Sequence, residues 1–580
     1  DDSHYLALAK AFVDGKGYVD TSIPGSPVES LYPPGYPLLL TPLVWLFGGA
    51  VWPLRALSAL AFVGCFPLLD RLLRRHGIRP VVRVAALAMF ALSPTAATFA
   101  TEVMPESVFL LVLLAVLLAL PRWEAQSRLF TWSGGVVALG APYLLLLKAA
   151  GLPMLVGVAG WLLLRRRWRQ LATTVVTSVL MLLPLVVVRL SAGPVVGTRY
   201  TNEYALAGPL WRAAWSGLHR YVTDAIPATL VPTQGADLMG HSVVLDVVLA
   251  VIRYTAAALV VVGFVAWLRR RLDVTSLIVP LYLAETAPFP FINQRRIVLL
   301  LPLVVAWYVI GWERVVAAAR RWLLARRREP GWRRRLAVVP AVMVLPLLAW
   351  QLPRDYLLRL GESTPAARGS GYIAALHEMT PPGWSIATGY QWTIADLTGR
   401  TASNAAHFTT NCPPGGTADL ARLHDIYVRQ HVATVLDAWL KWPKNMDNSC
   451  MLATMSAAPW AVPVYHGSDA STVFVLIGPG TARADEQVLL REATPTQRHV
   501  SLPPGARVSE LSVVLGDGEG GRVELRTPDG RWVPVDAQGT VPPPTLLHAR
   551  LAAPVRATAL RYVGDPGVTL RDLVVLGTTR

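Results

Sequence analysis

Long apolar runs, separated by short segments rich in arginine, occupy the first 352 residues of the chain. A helix needs about 20 mostly apolar residues to cross a bilayer. The predicted spans are Pro53–Leu72, Val84–Phe99, Ser107–Leu120, Phe130–Leu147, Ala149–Leu164, Leu171–Leu190, Val243–Leu268, Val274–Phe289, Ile297–Trp312 and Leu336–Leu352. The apolar run Pro37–Phe47 is only about half a span long, so we expect a re-entrant or interfacial helix there.

Beyond Leu352 the pattern becomes that of water-soluble domains. Residues 354–479 alternate helical stretches, such as Gly371–Met379, with short strands, which predicts a small α/β domain. After a polar link near residues 478–486, residues 487–580 contain short alternating strands, such as Arg522–Arg526, separated by Gly and Pro, which predicts a β-sandwich. We therefore divide the chain into a transmembrane domain, 1–353, with a first external loop at 1–52, and these two external domains.

Composition and charge support a polytopic α-helical membrane protein. The chain is 53% hydrophobic and only 16% charged, whereas soluble proteins are about 25% charged. The net charge of +17 would also suit a nucleic-acid-binding protein. Here, however, the arginines cluster in short loops between spans, which is how membrane proteins mark the cytoplasmic side.

The arginine clusters also predict the topology. If Asp1 lies outside, alternating spans place every cluster inside, from Arg71–Arg79 to Arg314–Arg335. Everything after Leu352 is then outside. An external N-terminus without a signal peptide leads us to expect a further helix upstream of Asp1, giving about eleven spans.

Charged residues are also expected at the outer ends of the spans. These are Asp1, Asp2, Glu102, Glu106, Lys148, Arg295 and Arg296, together with Arg199 in the loop 191–242. Lysine and arginine can bind the phosphate of a membrane-borne substrate, and arginine can do so through two parallel hydrogen bonds. A carboxylate can deprotonate an acceptor hydroxyl. The pattern therefore predicts a pocket for an anionic lipid-linked substrate.

Several motifs resemble one enzyme family. The first external loop contains Asp1-Asp2-Ser3-His4-Tyr5, Gly17-Tyr18 and Pro33-Pro34-Gly35-Tyr36-Pro37. Further echoes are Pro105-Glu106-Ser107, Lys148-Ala149-Ala150-Gly151 and Arg295-Arg296 before Leu301-Pro302. Over roughly residues 1–480 the chain resembles the bacterial multi-span (type C) glycosyltransferases, which are related to protein O-mannosyltransferases and to the lipid A aminoarabinose transferase. The segment 523–532 resembles galactose-binding-like β-sandwich modules.

The resemblance implies inverting transfer of a monosaccharide from a polyprenyl-phosphate donor to a cell-envelope glycan, lipid or protein acceptor. It places this reaction at the outer face of the bacterial cytoplasmic (inner) membrane. It makes Asp1 the base, while Asp2 stands where the family usually has Glu. Lys148 stands where many relatives have Arg, and Arg295 or Arg296 would be the second phosphate ligand. We group His4, Tyr5 and Tyr36 with Glu102 and Glu106 as supporting or acceptor-side residues. His4 with Asp1 and Asp2 could bind a divalent cation, but the spacing of the three residues is not diagnostic. We expect a metal-free site.

Simpler interpretations stay open at this point. Asp1 and Asp2 could be solvated acids at a helix N-terminus, Glu106 a helix cap, and Lys148 an interfacial lysine that binds nothing. The whole protein could instead be a transporter or flippase of lipid-linked sugars, or a non-catalytic glycan-binding scaffold. Trp532 could stack on glycan or lie in the sandwich core. Cys412 and Cys450 are candidates for a disulfide in the external region.

Overall fold

The computed structural model describes 2–191 except 24, 30 and 31, then 209–230, 243–288, 294–325 and parts of 371–579. The last region lacks 380–382, 389–390, 404–419, 438–454, 456–457, 467–471, 479, 482, 494–497, 516–520, 537, 540–545, 565–567 and 569. The chain forms two compact units, one of Asp1–Val19 with Val28–Glu362 and one of Asp20–Pro27 with Ser363–Arg580.

The first unit is helical throughout its described length. Its helices are α1 Asp2–Val13, α2 Gly35–Phe47, α3 Val51–Arg75, α4 Pro80–Ala91, α5 Pro94–Thr101, α6 Glu106–Glu124, α7 Trp132–Leu147, α8 Leu152–Leu164, α9 Trp168–Ser191, α10 Leu210–Arg220, α11 Ile226–Leu230, α12 Val243–Arg270, α13 Thr275–Thr286, α14 Gln294–Val298 and α15 Leu301–Ala325. A 3-10 turn, Ala149–Gly151, precedes α8, and a π-turn, Tyr221–Ala225, joins α10 to α11.

Five of the described helices are long and apolar enough to cross a membrane, and the bent pair α4–α5 provides a sixth candidate. Three shorter apolar helices lie in the same unit. Most predicted spans coincide with a helix, and Pro37–Phe47 falls within α2. The predicted span Leu336–Leu352 lies outside the described residues. The chain is a multi-pass membrane protein, as its composition predicts.

Two predicted spans differ in detail from the observed helices. The run Val84–Phe99 is broken into α4 and α5, which meet at 59°. Ser93 caps α5 by accepting a hydrogen bond from Ala96 N, and Pro94 follows at the first helical position. Proline has no N–H and disrupts the preceding helix, which explains the break. The run Ile297–Trp312 begins later, at Leu301, and α15 continues to Ala325.

The ends of the helices gather into two differently charged groups. Arg75 lies within electrostatic range of Arg122, Arg271 and Asp273, so the ends of α3, α6 and α12 meet at one end of the bundle. There His76 stacks on Trp267 and pairs with Asp273 at 3.0 Å. We call this the arginine end. The beginnings of α6 and α8 and the end of α13 lie at the opposite end, because these helices return in alternating directions.

The described residues of the second unit form three helices and three sheets. The helices are α16 Gly371–Met379, α17 Gln391–Thr398 and α18 Leu420–Arg429. The first sheet has the order β2-β1-β3-β5-β4, with strands β1 Ser385–Thr388, β2 Ala402–Ser403, β3 Val432–Asp437, β4 Ala461–His466 and β5 Thr472–Leu476. β1 runs parallel to β2 and β3, while β5 is antiparallel to β3 and β4.

Two further sheets form the sandwich. Their strands are β6 Gln487–Ala493, β7 His499–Ser501, β8 Arg507–Leu515, β9 Arg522–Arg526, β10 Trp532–Val535, β11 Gln538–Gly539, β12 Leu546–Arg556, β13 Ala559–Val563 and β14 Leu570–Thr578. The orders are β10-β9-β13-β7 and β11-β12-β8-β14-β6. The inner faces of the two sheets share one apolar core. The predicted fold class, a polytopic helical protein with α/β and β-sandwich parts, is confirmed.

Candidate functional site

A buried contact between His4 and Glu29 holds the first loop of the membrane unit. His4, in the first turn of α1, is 1% exposed, and its Nε2 lies 2.6 Å from Glu29 Oε2. The other oxygen of Glu29 accepts a hydrogen bond from Tyr32 N at 3.0 Å. Tyr18 donates from its hydroxyl to the carbonyl of Tyr32. The loop therefore closes on itself around the start of α1.

Aromatic side chains carry this packing on towards α2. Tyr5 meets Tyr32 and Tyr36 in edge-on contacts, with ring centroids 4.9 Å and 5.1 Å away. The hydroxyl of Tyr36 lies 3.2 Å from Ser58 Oγ on α3. Tyr5 and Tyr36 are fully buried, and their contacts connect α1, α2 and α3.

A charged cluster forms where α6 begins. Glu106 is fully buried, and its Oε1 accepts hydrogen bonds from Lys148 Nζ and Arg295 Nε, both at 2.6 Å. Lys148 follows the end of α7, and Arg295 lies on α14. The three residues, predicted separately from their positions at span ends, are thus brought together by three different helices. We call them the Glu106 cluster.

The two cations of the cluster stay partly exposed. The side chains of Lys148 and Arg295 are 22% and 25% exposed, although Glu106 is fully buried. Glu106 Oε2 has no hydrogen-bond partner among the described residues. Arg295 also places Nη2 3.4 Å from the sulfur of Met104. One buried carboxylate therefore holds two cations that an anionic ligand can approach.

The first loop adjoins this cluster. Tyr5 and Tyr32 both lie within electrostatic range of Arg295. Arg295 also lies over the ring of Phe99, 5.9 Å from its centroid. Tyr5 lies in the first turn of α1, so the N-terminal part of this helix lies close to the Glu106 cluster.

Arg296 takes a different role from Arg295. Its carbonyl accepts a hydrogen bond from the hydroxyl of Tyr282, a fully buried residue of α13. Its side chain acts electrostatically on Glu285, as does Lys148. Sequence analysis missed Glu285 because it lies inside a predicted span. An acid within an apolar run was the available signal, since such residues are costly in a membrane and usually functional.

Other predicted site residues are placed less completely. Asp1 and Arg199 lie outside the described residues, and α1 begins at Asp2. Glu102 ends α5, where its N–H donates to the carbonyl of Thr98. The predicted metal set of His4, Asp1 and Asp2 stays a prediction, because Asp1 and the side chain of Asp2 lie outside the described residues. His4 contacts Glu29. Cys412 and Cys450 also lie outside the described residues.

The second unit places Trp532 away from the sandwich core. Its side chain is half-buried. Its strand, β10, pairs with β9, and β9 pairs on its other side with β13. The guanidinium of Arg561 lies 4.3 Å from the centroid of the indole ring, and the ring of His499 is 5.4 Å away. Glu524 binds Arg561 at 2.6 Å. Trp532 is not among the residues of the sandwich core, and the guanidinium of Arg561 covers one face of its ring.

No protein-family model matches the sequence, and no curated protein sequence matches it. Among solved structures, the chain is similar to ArnT from Cupriavidus metallidurans bound to undecaprenyl phosphate, at 14% identity and a TM-score of 0.46. That match covers 83% of this chain and 94% of ArnT. It is also similar to the apo Archaeoglobus fulgidus oligosaccharyltransferase, at 12% identity and a TM-score of 0.48, over 98% and 93% of the two chains.

A third similarity is to the arabinosyltransferase EmbB from Mycobacterium smegmatis, at 15% identity and a TM-score of 0.31, over 100% of this chain and 62% of EmbB. All three TM-scores lie below 0.5 and all identities below 25%. The likeness therefore assigns no activity, sugar or acceptor to this chain.

Proposed function

We propose that the protein is a membrane glycosyltransferase. It transfers a monosaccharide from a polyprenyl-phosphate donor to an acceptor hydroxyl on a cell-envelope glycan, lipid or protein. The reaction takes place at the Glu106 end of the bundle, and Asp1 is the base.

The Glu106 cluster is the observation that carries this proposal. Placing a buried carboxylate and two cations in a membrane protein costs free energy, and such groups usually mark a functional site. The partly exposed ammonium of Lys148 and guanidinium of Arg295 suit the phosphate of a lipid carrier. The position of the cluster at one end of the bundle suits a substrate whose phosphate lies at the membrane surface.

The chemistry needs two functions, and the site supplies candidates for both. The sugar C1–O bond breaks as the polyprenyl phosphate leaves, and cations stabilise the departing phosphate. The acceptor hydroxyl attacks C1 from the opposite side and gives its proton to a carboxylate. A single displacement inverts the anomeric centre, and Asp1 or Asp2, at the N-terminus of α1, would take the proton.

The orientation of the site belongs to the same proposal. Cationic residues concentrate at the arginine end, and positively charged loops mark the cytoplasmic side of membrane proteins. The Glu106 cluster and the second unit would then face the outside of the bacterial cytoplasmic membrane. There the lipid-linked donor and the acceptor would meet.

The sandwich is proposed as an accessory glycan-binding module. Trp532 is not a core residue, and its partners Arg561 and His499 give its surroundings a polar, partly cationic character. Aromatic side chains offer an apolar face to the apolar face of a sugar ring. This position favours glycan stacking over a purely structural role for Trp532.

Donor turnover tests the proposal directly. The full natural protein in lipid nanodiscs is given a panel of polyprenyl-phosphate sugars, with Asp1→Asn and Asp2→Asn as test variants. Asp14→Asn is the control, because Asp14 is an exposed acid of the same loop, paired with exposed Lys16. We expect one donor to be consumed and Asp1→Asn to lower turnover by about 100-fold or more, since general bases contribute at least that factor.

The outcomes separate the alternatives. Wild-type turnover by Asp1→Asn, together with loss in Asp2→Asn, would move the base to Asp2. Binding of lipid-linked sugar without consumption of any donor would contradict the transferase and favour transport. If the protein neither binds nor consumes any lipid-linked sugar, the non-catalytic scaffold is the interpretation that remains.

A further inference from the structure

Helix α10 has three distinct faces. Ala213, Ala214 and Gly217 are its least exposed residues and lie on one side. Trp211, Trp215 and Leu218 follow at spacings of four and three, so they form a second face, 70%, 73% and 36% exposed. The third face carries the exposed polar residues Arg212, Ser216, His219 and Arg220.

The small-residue face attaches α10 to the bundle at a defined place. A Cβ on Gly217 would collide with the carbonyl oxygen of Ala287, just beyond the end of α13. The other end of α13 adjoins Asp273, which lies at the arginine end with His76. α10 therefore lies at the opposite end of the bundle, the end that holds Glu106.

The remaining two faces match the membrane–water interface. Tryptophan is enriched there because its ring is apolar and its N–H polar. The arginine side chains can extend from the same helix to lipid phosphates, and α10 contains no acidic residue. Arg212 lies over the ring of Trp211, 5.1 Å from its centroid, so the two faces meet at their shared edge. Basic amphipathic helices with these features lie in the plane of the interface.

We propose that α10 is an interfacial helix that anchors the Glu106 end of the bundle in the headgroup layer. Trp211, Trp215 and Leu218 enter the upper acyl region, and Arg212 and Arg220 bind the phosphates of anionic phospholipids. Sequence analysis assigned Arg199, in the loop 191–242, to the substrate pocket. On α10, in the same loop, Arg212 lies over Trp211 and Arg220 donates to Ser216 Oγ.

The helix also has a route to the site. α10 continues into the π-turn, whose first residue, Tyr221, is fully buried and lies within electrostatic range of Tyr282. Tyr282 in turn holds the carbonyl of Arg296. If the proposed transfer from a lipid carrier is correct, α10 sets the depth of the cationic site relative to the phosphate layer.

Spin labelling tests the depth of α10. Trp215→Cys and Ser216→Cys, adjacent residues on different faces, are labelled in a background in which Cys65, Cys412 and Cys450 are replaced by alanine. The protein is placed in phosphatidylglycerol nanodiscs, and relaxation by oxygen, which concentrates in lipid, is compared with relaxation by a water-soluble nickel chelate. We expect oxygen to dominate several-fold at position 215 and nickel at position 216.

Each other result overturns the proposal. Access to nickel alone at both positions would place α10 in water, and shielding of position 215 from both reagents would indicate a protein surface over it. Equal label mobility in phosphatidylglycerol and phosphatidylcholine would contradict binding to anionic headgroups. If the cysteine-free background does not fold, quenching by brominated lipid is compared between the native sequence and Trp211→Phe/Trp215→Phe. Quenching that is undiminished in the variant contradicts immersion.

Activity provides a separate readout. Trp211→Ala/Trp215→Ala should raise KM for a long-chain polyprenyl donor and leave kcat for a short-chain, water-soluble donor near the wild-type value. An immersed α10 in a protein that turns over no donor would refute the transferase and keep the interfacial helix. A water-exposed α10 in an enzyme that consumes a donor would refute the interfacial helix and keep the transferase.

Discussion

The buried carboxylate of Glu106 and its two cationic partners compensate one another's charge. Replacing it by Gln keeps the size of the side chain but removes the charge that Lys148 and Arg295 share. Loss of one partner from a buried ion pair costs about 3 kcal/mol or more. We expect Glu106→Gln to lower the thermal unfolding temperature by several degrees and to weaken donor binding, measured by thermal unfolding and by lipid-donor titration.

Glu124 provides the matched control because it lies on the same helix, at the arginine end. It accepts a hydrogen bond from Trp161 Nε1 at 2.6 Å, and its cation, Arg165, is 4.0 Å away and exposed. Gln can still accept from Trp161, so Glu124→Gln should cost much less stability. Equal losses in the two variants would contradict a special role for the Glu106 cluster.

Glu510 makes a second buried network, in the sandwich. Its Oε1 lies 2.8 Å from His548 Nε2, and its Oε2 lies 2.7 Å from Arg483 Nη1. Burial alone would raise the pKa of Glu510, but the hydrogen bond from His548 and the nearby positive charges hold this pKa below its ordinary value of 4.5. The ionised carboxylate therefore stabilises the fold above about pH 4.5, and the stabilisation is lost as the pH falls below that value.

This sign gives a pH prediction. Glu510→Gln should lower the unfolding temperature of the second unit at pH 7, by an amount that corresponds to about 2 kcal/mol for a charged hydrogen-bonded group. The difference from wild type should shrink as the pH falls towards 3, because the wild-type carboxyl is then also uncharged. Unfolding temperatures of both proteins between pH 3 and 7 check this. A difference that is constant with pH would show that the charge of Glu510 does not matter.

The sequence identifies charged residues at helix ends but not their pairings. Glu106, Lys148 and Arg295 were each named from their position next to a span. That Glu106 joins the other two depends on the side-by-side packing of α6, α7 and α14, which no local pattern encodes. The pair of His4 with Glu29 was missed for the same reason, since it closes a loop of 25 residues.

At the scale of elements, the contact of α2 with α7 depends on one glycine. A Cβ on Gly35 would lie 2.6 Å from the carbonyl oxygen of Leu146. The carbonyl of Gly35 also accepts a hydrogen bond from Tyr143 at 3.1 Å. We expect Gly35→Ala to separate the two helices, to destabilise the unit and to lower turnover, measured by thermal unfolding and donor consumption.

Gly135, also on α7, is the control. A Cβ added there meets nothing within 4 Å, so Gly135→Ala should be neutral or stabilising by up to about 1 kcal/mol, the helix propensity difference. If both glycine variants behave alike, close packing at Gly35 is not what joins α2 to α7.

Elements with strong periodicity were predictable. The predicted helix Gly371–Met379 and strand Arg522–Arg526 coincide with α16 and β9. The missed strands, such as β4 and β6, have mixed patterns because β4 contains Pro463 and β6 contains Arg491, whose guanidinium bonds the carbonyl of Ala461 at 2.9 Å. Tertiary contacts, rather than local propensity, decide these segments.

For the whole molecule, the boundary between the two units was not predictable from composition. The segment 20–27 belongs to the second unit, where the carbonyl of Ser22 accepts a hydrogen bond from Ala402 N at 2.7 Å. The α/β and sandwich parts, predicted as separate domains, share apolar contacts, because Val574 and Leu576 of β14 pack in one cluster with Ile386 and Val462. Both features arise from contacts between residues distant in sequence.

The sidedness of the membrane unit can be tested with two cysteines placed at its opposite ends. Lys16→Cys lies in the first loop and Ser127→Cys in the loop between α6 and α7, at the arginine end, and both positions are exposed. In the background protein Cys412 and Cys450 are replaced by alanine. Cys65 is kept because it is buried and should not react with the maleimide. Because basic loops stay in the cytoplasm, a membrane-impermeant maleimide should label Lys16→Cys in intact cells and Ser127→Cys only after permeabilisation. The unmodified background, unlabelled in both cases, is the control. The reverse pattern would place the Glu106 cluster in the cytoplasm and would contradict transfer to an extracytoplasmic acceptor.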